Sequence, residues 1–275
     1  MPDVLTWFGL ILLGVVVGAY GTMIGAGGGF ILVPLLLLLY PDDRPELVTS
    51  ISIAVVFFNA FSGTAAYWRQ RRIDFLAANA FALATVPGAI GGALATALFP
   101  RRLFDFVFAL LLILVAVVLT LRPSPRMVVR QNRRGEVTRQ LTDVQGDTYV
   151  YSYNLTTGIV LSLLVGFIAS LLGVGGGIIH VPMMIQLLHF PAHIATATSH
   201  YVLTVTAAVA TVTHILSGQF DTGYDRTGAL AIGVLIGAQF GARLSTHVHG
   251  NTIVRLLGLA LAAVGLRLLV AAVTG

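Results

Sequence analysis

Two glycine-rich stretches of this 275-residue chain carry the residues most suited to chemistry, and the chemistry they suit is anion binding. The first covers residues 25–36 and the second residues 173–184. A helix that restarts after such a run has first-turn N–H groups without intrahelical acceptors, and its dipole places about half a positive charge there. Glycine also lets the backbone approach a ligand closely. Each stretch therefore predicts an anion site, and a plain role in close helix packing is the alternative.

The two stretches are copies of one another. Aligned at a spacing of 148 residues, seven of their twelve positions are identical, including all four glycines and a Val-Pro pair. Each lies between apolar segments, where a broken helix is costly in lipid unless its backbone is buried in protein or lines a wet cavity. The chain is therefore expected to consist of two copies of one unit.

Polar side chains follow each glycine stretch within otherwise apolar segments. They are expected to supply donors to a bound anion, because no arginine is predicted deep in a span. The alternative for each hydroxyl is a hydrogen bond to its own helix backbone. The candidates are Ser50, Ser52, Asn59, Thr198, Ser199 and Thr204.

Three histidines, His180, His200 and His214, also fall within predicted spans. An ionisable side chain at that depth is a functional hypothesis by default. His180 and His200 could each carry a proton or donate to an anion, and a neutral histidine in an interhelical hydrogen bond is the alternative. The remaining histidines are interpreted as surface residues, so neither a metal site nor a cofactor is predicted.

Composition assigns the chain to the integral membrane proteins. Hydrophobic residues make up 57% of it and charged residues only 10%, with a mean hydropathy of +0.91. The long apolar runs lack the alternation of a transmembrane barrel, so the spans are helical. The chain has no cysteine, which excludes disulfides and thiolate sites. The net charge of +5 fits basic membrane-proximal loops and gives no reason to expect nucleic-acid binding.

The apolar pattern predicts five helical segments in each half. The segment at 30–40 is about 16 Å long as a helix, half the thickness of the hydrocarbon core. We divide the chain into a first repeat over 1–121, a basic linker over 122–153 and a second repeat over 154–275. The linker holds six arginines and two turn signals, so a small hairpin and a solvated connector are both open. The segments are 5–24, 30–40, 46–68, 75–99 and 103–121, then 155–172, 178–189, 192–216, 227–245 and 251–273.

The arginines predict the orientation. If each half crosses the membrane an odd number of times, the halves are inverted, and 11 of the 16 arginines share the side of the linker. The positive-inside rule makes that side cytoplasmic. An even number would give parallel repeats, which the charges favour less. We therefore expect an all-α polytopic membrane protein of two inverted repeats, with glycine-broken hairpins meeting near the midplane.

With its duplicated Gly-x-Gly-Gly-Gly-x-Ile-x-Val-Pro motif, its small-residue repeats near Gly88 and Gly233 and its long basic central loop, the chain resembles the TauE/SafE sulfite exporter family, also called the toluene sulfonate uptake permease family. The resemblance implies transport of sulfite, organosulfonates or related anions, coupled to an ion gradient. His180 departs from the symmetry, because the first copy has Leu32 there. The substrate-site candidates that it implies are Gly25, Gly27, Gly28, Gly29, Pro34, Gly173, Gly175, Gly176, Gly177 and Pro182.

Two other classes of function are alternatives to a transporter. An anion channel would share the helix-end site without alternating access. A membrane-embedded enzyme would need a nucleophile with a base, or a carboxylate cluster, and no such motif occurs, so the chain is not expected to be an enzyme. The expected partners are a small anionic substrate and membrane lipid, with a coupling proton or sodium ion and a homodimer left open. The expected location is a bacterial inner (plasma) membrane.

Overall fold

The fold is known from a computed structural model that describes residues 4–121 and 136–274. These residues form ten α-helices and one β-hairpin, so the ten predicted helical segments are confirmed, with ends shifted by a few residues. Most of the linker arginines, at 122–134, lie outside the described residues. The elements are α1 (Val4–Met23), α2 (Gly29–Leu39), α3 (Pro45–Arg69), α4 (Phe75–Ala95, extended by a 3₁₀ turn at Thr96–Leu98), α5 (Arg101–Leu121), β1 (Glu136–Thr142), β2 (Thr148–Asn154), α6 (Leu155–Leu171), α7 (Gly177–Gln186), α8 (Ala192–Leu216), α9 (Tyr224–Leu244) and α10 (Gly250–Thr274).

Five of the helices are long and apolar enough to cross a membrane: α1, α3, α4 with its extension, α8 and α9. Their outward faces carry exposed large apolar side chains, such as Phe8, Leu83 and Phe240, which lipid would cover. The short helices α2 and α7 have 11 and 10 residues and are too short to span. The protein is therefore an integral membrane protein with two half-length helices inside it.

Small residues bring two pairs of helices into backbone contact. In α9, a Cβ atom on Gly233 would lie 2.2 Å from the carbonyl oxygen of Ile11, and one on Gly241 would lie 2.1 Å from that of Ala19. Contacts that advance together along both chains mean that α1 and α9 run parallel. Glycines of α4 meet α6 in the same way, with Gly88 against Leu163 and Gly92 against Phe167. The small-residue repeats near Gly88 and Gly233 thus form close-packing faces.

The linker ends in an antiparallel hairpin whose register runs from Glu136↔Asn154 to Thr142↔Thr148. It docks against the end of α3, where Arg72 donates to the Asp143 carboxylate at 2.8 Å and both side chains are buried. Burial alone would favour the neutral carboxyl. The hydrogen bonds from Arg72 and from backbone N–H groups of the turn outweigh it, and the pKa of Asp143 lies below its ordinary value.

A second buried carboxylate, Asp74, ties β2 to the start of α4. Its side chain caps α4 and also accepts a hydrogen bond from the Tyr151 hydroxyl at 2.8 Å. Arg139 of β1 lies 3.3 Å from the same carboxylate. Tyr151 and Tyr153 pack on Phe190, and burial together with the Asp74 charge raises the pKa of both phenols.

The hairpin lies at the same end of the helices as the C-terminus of α9. At that end, the Gln70 side chain after α3 donates a hydrogen bond to the Ala242 carbonyl of α9 at 2.9 Å. At the opposite end, Arg44 pairs with Asp221 at 3.1 Å and Arg226 pairs with Asp43. The two ends therefore differ in kind: one is capped by a folded hairpin, and the other is linked by ion pairs between short loops.

Candidate functional site

The two glycine loops lie in the centre of the helix bundle and touch each other. A Cβ atom on Gly29 would lie 2.9 Å from the carbonyl oxygen of Gly173, and one on Gly177 would lie 2.4 Å from that of Gly25. The start of α2 thus faces the second loop, and the start of α7 faces the first. Residues 25–29 and 173–177 are all buried. Tertiary structure has brought together the two stretches that the sequence separates by 148 residues.

Each loop turns into its short helix through glycines in the left-handed region. The residues that cap α2 and α7 are Gly28 (φ 84°) and Gly176 (φ 91°), a conformation that other residues rarely adopt. In the described part of the chain, the N–H groups of Gly29, Phe30, Gly177 and Ile178 have no hydrogen-bond acceptor. Two sets of buried donors therefore lie at the positive ends of two helix dipoles, as an anion would require.

Side chains of α3 and α8 hold the loops by their carbonyl groups. Ser52 donates to the Gly173 carbonyl at 2.8 Å, and Ser199 donates to the Gly25 carbonyl at 3.3 Å. Asn59 donates to the Gly27 carbonyl at 3.0 Å. Three of the candidate residues thus contact the loops directly. With these donors in place, the carbonyls of Gly25, Gly27 and Gly173 are satisfied, and the N–H groups at the helix N-termini stay free in the described part of the chain.

Two threonines that sequence reasoning missed occupy equivalent places on the loops. Thr49 of α3 packs on Gly173, and Thr196 of α8 packs on Gly25. The Thr196 hydroxyl donates to its own helix at Ala192, at 2.8 Å. The Thr49 hydroxyl is buried without a hydrogen-bond partner among the described residues. Both threonines lie four residues after the first residue of their helix, a match that aligning α3 with α8 would have revealed.

A second unpartnered hydroxyl belongs to Ser170, three residues before the second glycine run. Its counterpart at the 148-residue spacing is Thr22, three residues before the first run. Thr22 is hydrogen-bonded to Asn59 at 3.1 Å, whereas the buried Ser170 oxygen finds no partner in the described residues. Since buried polar groups are nearly always paired, Thr49 and Ser170 set the second loop apart from the first as the one with unsatisfied hydroxyls among the described residues.

The remaining hydroxyl candidates are hydrogen-bonded within their own helices or at the hairpin end. Ser50 and Thr204 donate to the carbonyls four residues earlier in their own helices, Glu46 and His200, which is the alternative weighed for them. Thr198 accepts a hydrogen bond from the N–H of Asp74, at the hairpin end. Pro34 and Pro182 lie inside α2 and α7.

The buried histidines have distinct surroundings. His180 lies at 3.0 Å from the Ser162 hydroxyl and stacks on Phe81. His200 lies at 3.2 Å from the Thr22 hydroxyl. His214 bonds Gln219 near the end of α8, away from the loops.

Apolar side chains close the remaining faces of the loops. Val56 of α3 lies against Gly27 and Gly175, and Leu203 of α8 lies against the same two glycines. Both side chains are fully buried. In this structure the loops are therefore buried away from solvent.

Spanning helices around two half-length helices and a pair of buried glycine loops define a polytopic membrane protein with a central polar site. The family model described as sulfite exporter TauE/SafE matches residues 10–268, and the chain belongs to that family. It is similar to the "Probable membrane transporter protein YunE" of Bacillus subtilis (strain 168), with 31% identity across 94% of this chain and 96% of that protein.

Two further relatives also match almost end to end. "Probable membrane transporter protein YjnA" of Bacillus subtilis (strain 168) is 26% identical over 94% of this chain and 98% of that protein. "Probable membrane transporter protein MJ0441" of Methanocaldococcus jannaschii (strain ATCC 43067 / DSM 2661 / JAL-1 / JCM 10045 / NBRC 100440) is 21% identical over 94% of each chain. No solved structure matches this chain. Family and relatives together make the protein a membrane transporter.

Proposed function

We infer that this protein is a secondary transporter of a small sulfur-containing anion, sulfite or an organosulfonate, held at the N-termini of α2 and α7. The observation that carries the proposal is the contact between the two buried glycine loops, which leaves first-turn N–H groups free at both helix starts. The unpartnered hydroxyl of Thr49 adds a donor beside Gly173. The description of the family supports sulfite chemistry for the anion.

The transport cycle we propose is alternating access about two inverted repeats. Helix directions support the inversion. Ile51 lies near Gly223, and Ser62 donates to the Leu235 carbonyl, so α3 runs parallel to α9. Because a short turn reverses the chain between α3 and α4, α4 runs against α9, its counterpart in the second half. Rocking of one half against the other would then open the shielded loops to each side in turn.

The proposed location is a bacterial inner membrane with the hairpin end in the cytoplasm. That end carries Arg69, Arg71 and Arg72 at the end of α3 and just after it, Arg139 in β1 and Arg243 in α9. The opposite end carries Arg44 and Arg226, both in ion pairs, and Arg101 and Arg102 at the start of α5. With the linker arginines counted from the sequence, 11 of the 16 arginines are expected on the hairpin side, which is the pattern of the positive-inside rule.

A thermal-shift screen of the purified protein in detergent tests the function. The ligands are sulfite, sulfate, thiosulfate, taurine, isethionate, sulfoacetate and simple carboxylates. An anion at a hundred times its dissociation constant is expected to stabilise the protein by about 2.7 kcal/mol. A flat response to every anion by protein that melts cooperatively would contradict the proposal.

Thr49→Val and Thr196→Val form a matched pair that locates the site. Thr49→Val removes an unpartnered hydroxyl with little change in shape, so it is expected to weaken binding of the stabilising anion about tenfold without lowering the melting temperature of the free protein. Thr196→Val removes a hydroxyl already bonded to its own helix. The affinity of the Thr196→Val variant for the stabilising anion is expected to stay within about twofold of wild type. Equal affinities for the two variants would remove Thr49 from the site.

A further inference from the structure

His200 occupies a place in the bundle that is shaped around its ring. The side chain is fully buried in α8. Gly63 of α3 makes room for it, because a Cβ atom there would lie 2.5 Å from the ring atom Cδ2. The ring of Tyr67 packs edge-on against it, with centroids 5.4 Å apart. An ionisable side chain is thus enclosed at a depth where water is absent.

The hydrogen bonds around His200 fix which ring nitrogen carries the proton. The Asn59 amide donates to the Gly27 carbonyl, so its oxygen faces Thr22 and accepts the Thr22 hydroxyl proton at 3.1 Å. A hydroxyl has one proton, so the Thr22 oxygen can only accept from His200 Nε2, at 3.2 Å. The neutral ring is therefore the Nε2–H tautomer, and Nδ1 holds a bare lone pair.

That lone pair is unsatisfied. Nδ1 of His200 is buried and has no hydrogen-bond partner within the described residues. The backbone carbonyl of Thr196, one turn earlier in α8, lies close to the ring without forming a hydrogen bond in the described structure. A backbone carbonyl cannot donate to Nδ1, but it can accept from it. A proton on Nδ1 would thus find an acceptor ready, while Nε2–H keeps its bond to Thr22.

We propose that Nδ1 of His200 binds the proton that couples transport to a proton gradient, an inference that rests on the proposed function. The proton comes from water on one side of the membrane, binds the Nδ1 lone pair to form an imidazolium, and leaves to the other side. The proton site has no counterpart in the first half of the chain, because the position in α3 equivalent to His200 is Ile53, 147 residues earlier. Among the described residues, the second buried histidine, His180, is hydrogen-bonded to Ser162 and not to Thr22 or Asn59.

Few charges face the ring. Among the described residues, Tyr67 of α3 is the titratable side chain whose ring packs against His200. From α1 the ring meets Thr22, and from α3 it also meets Gly63, both neutral. Arg72, just beyond the end of α3, interacts electrostatically with the Tyr67 side chain. A proton on His200 would therefore be a largely uncompensated positive charge, and an anion at the adjacent glycine loop would stabilise it.

The coupling follows from this charge. The chain of hydrogen bonds from His200 through Thr22 and Asn59 ends on Gly27, inside the loop that precedes α2. An imidazolium strengthens anion binding at that loop, and by linkage a bound anion strengthens proton binding by the same factor. Proton and anion would then cross together.

Nuclear magnetic resonance of the full-length protein in nanodiscs, with ¹⁵N-labelled histidine, tests proton binding without any substrate. The His200 signals are assigned as those that His200→Gln removes. We expect the Nε2–H tautomer at high pH and a doubly protonated ring as the pH is lowered. A ring that stays neutral across the range in which the protein remains folded would overturn the proposal, as would an Nδ1–H tautomer at high pH.

A second variant covers the case in which His200→Gln does not fold. Thr22→Val keeps the ring and removes the acceptor for Nε2–H, a bond that is stronger to the charged ring. The remaining histidine signals, compared with wild type, are expected to show one ring whose titration midpoint moves to lower pH. If no histidine midpoint moves, Thr22 does not contact the proton-binding ring and the proposal fails.

Flux in proteoliposomes tests the coupling. The probe is radiolabelled isethionate, whose sulfonate stays a monoanion throughout this pH range. An inward-directed proton gradient is expected to speed uptake about tenfold in wild type and in the control His214→Gln, and less than about twofold in His200→Gln. A gradient response in His200→Gln equal to wild type would refute the role of His200. Absence of isethionate flux in wild type would count against the proposed function alone, and the resonance experiment would still decide proton binding.

Discussion

Gly177 lies so close to the carbonyl oxygen of Gly25 that a Cβ atom on residue 177 would be 2.4 Å from it. Gly29 has the same relation to Gly173 across the centre of the molecule, at 2.9 Å. No side chain fits between the two loops, so their backbones set the distance between the starts of α2 and α7. The distance between the two helix starts is therefore fixed by contacts between main chains, which can shift less than side chains can.

Gly177→Ala is expected to destabilise the protein by about 1–3 kcal/mol, because the methyl group meets a backbone oxygen that cannot move aside as a side chain would. Denaturation of the purified protein in detergent measures the change. The control is Gly228→Ala in α9, where the added methyl group meets open space. It is expected to leave stability unchanged or to raise it by up to about 1 kcal/mol, because alanine has the higher helix propensity. Equal stability of the two variants would show that the loops can separate freely.

Gly237→Ala tests the contact between α1 and α9. The new Cβ atom would lie 2.2 Å from the Val15 carbonyl oxygen, so the two helices would have to move apart. The expected loss is again about 1–3 kcal/mol, seen as a lower melting temperature. Gly9→Ala in the partner helix, where nothing lies within 4 Å, serves as the control. A melting temperature unchanged by Gly237→Ala would contradict the backbone contact.

Asn59→Leu is expected to destabilise the protein by about 2–4 kcal/mol, because it leaves the Gly27 carbonyl and the Thr22 hydroxyl without this partner in a buried place. The loop before α2 should become more open to hydrogen exchange, which mass spectrometry can follow. Ser50→Ala is the comparison, since that hydroxyl only bonds its own helix. Protection of the first loop should persist in Ser50→Ala and fall in Asn59→Leu. Equal protection would argue against the Asn59 contact.

Asp143→Asn is expected to loosen the hairpin, because it leaves the buried Arg72 guanidinium without its charged partner. Limited proteolysis between β1 and α6 should then be faster than in Asp147→Asn, a change at an exposed carboxylate of the same turn. A hairpin cleaved at the same rate in both variants would refute the importance of the Arg72 pair.

The same pair predicts a pH dependence. The pKa of Asp143 is lower in the folded protein than in the unfolded chain, so its ionised form contributes stability that is fully present above the unfolded pKa. That stability is lost as the pH falls below about 4 toward the folded pKa. Protection of the hairpin from an acid-active protease should fall in this window in wild type, and much less in Asp143→Asn. Identical pH profiles would contradict the shifted pKa.

The sequence by itself determined the class of protein and most of its helices. Apolar runs and turn residues act locally, so helix ends such as those of α8 could be read directly from residues 192–216. The duplication also identified both glycine stretches before any coordinate was known. The sequence could not tell which hydroxyl candidates contact the loops, because the direction in which a side chain points depends on the helices packed against it. Ser52 and Ser199 contact the loops, whereas Ser50 is hydrogen-bonded to its own helix.

Only the tertiary structure decided how these parts meet. It brought Gly29 to Gly173 and Tyr151 to the buried Asp74, and it joined His200 to Thr22 over 178 residues of chain. Among the described residues, it left the Thr49 hydroxyl without a partner while its equivalent Thr196 is paired. Pairings of this kind depend on how whole helices pack, and the periodicity of a single segment carries no record of its neighbours. The pattern of apolar residues therefore fixes where helices form, while packing between distant helices decides which polar groups remain free to bind.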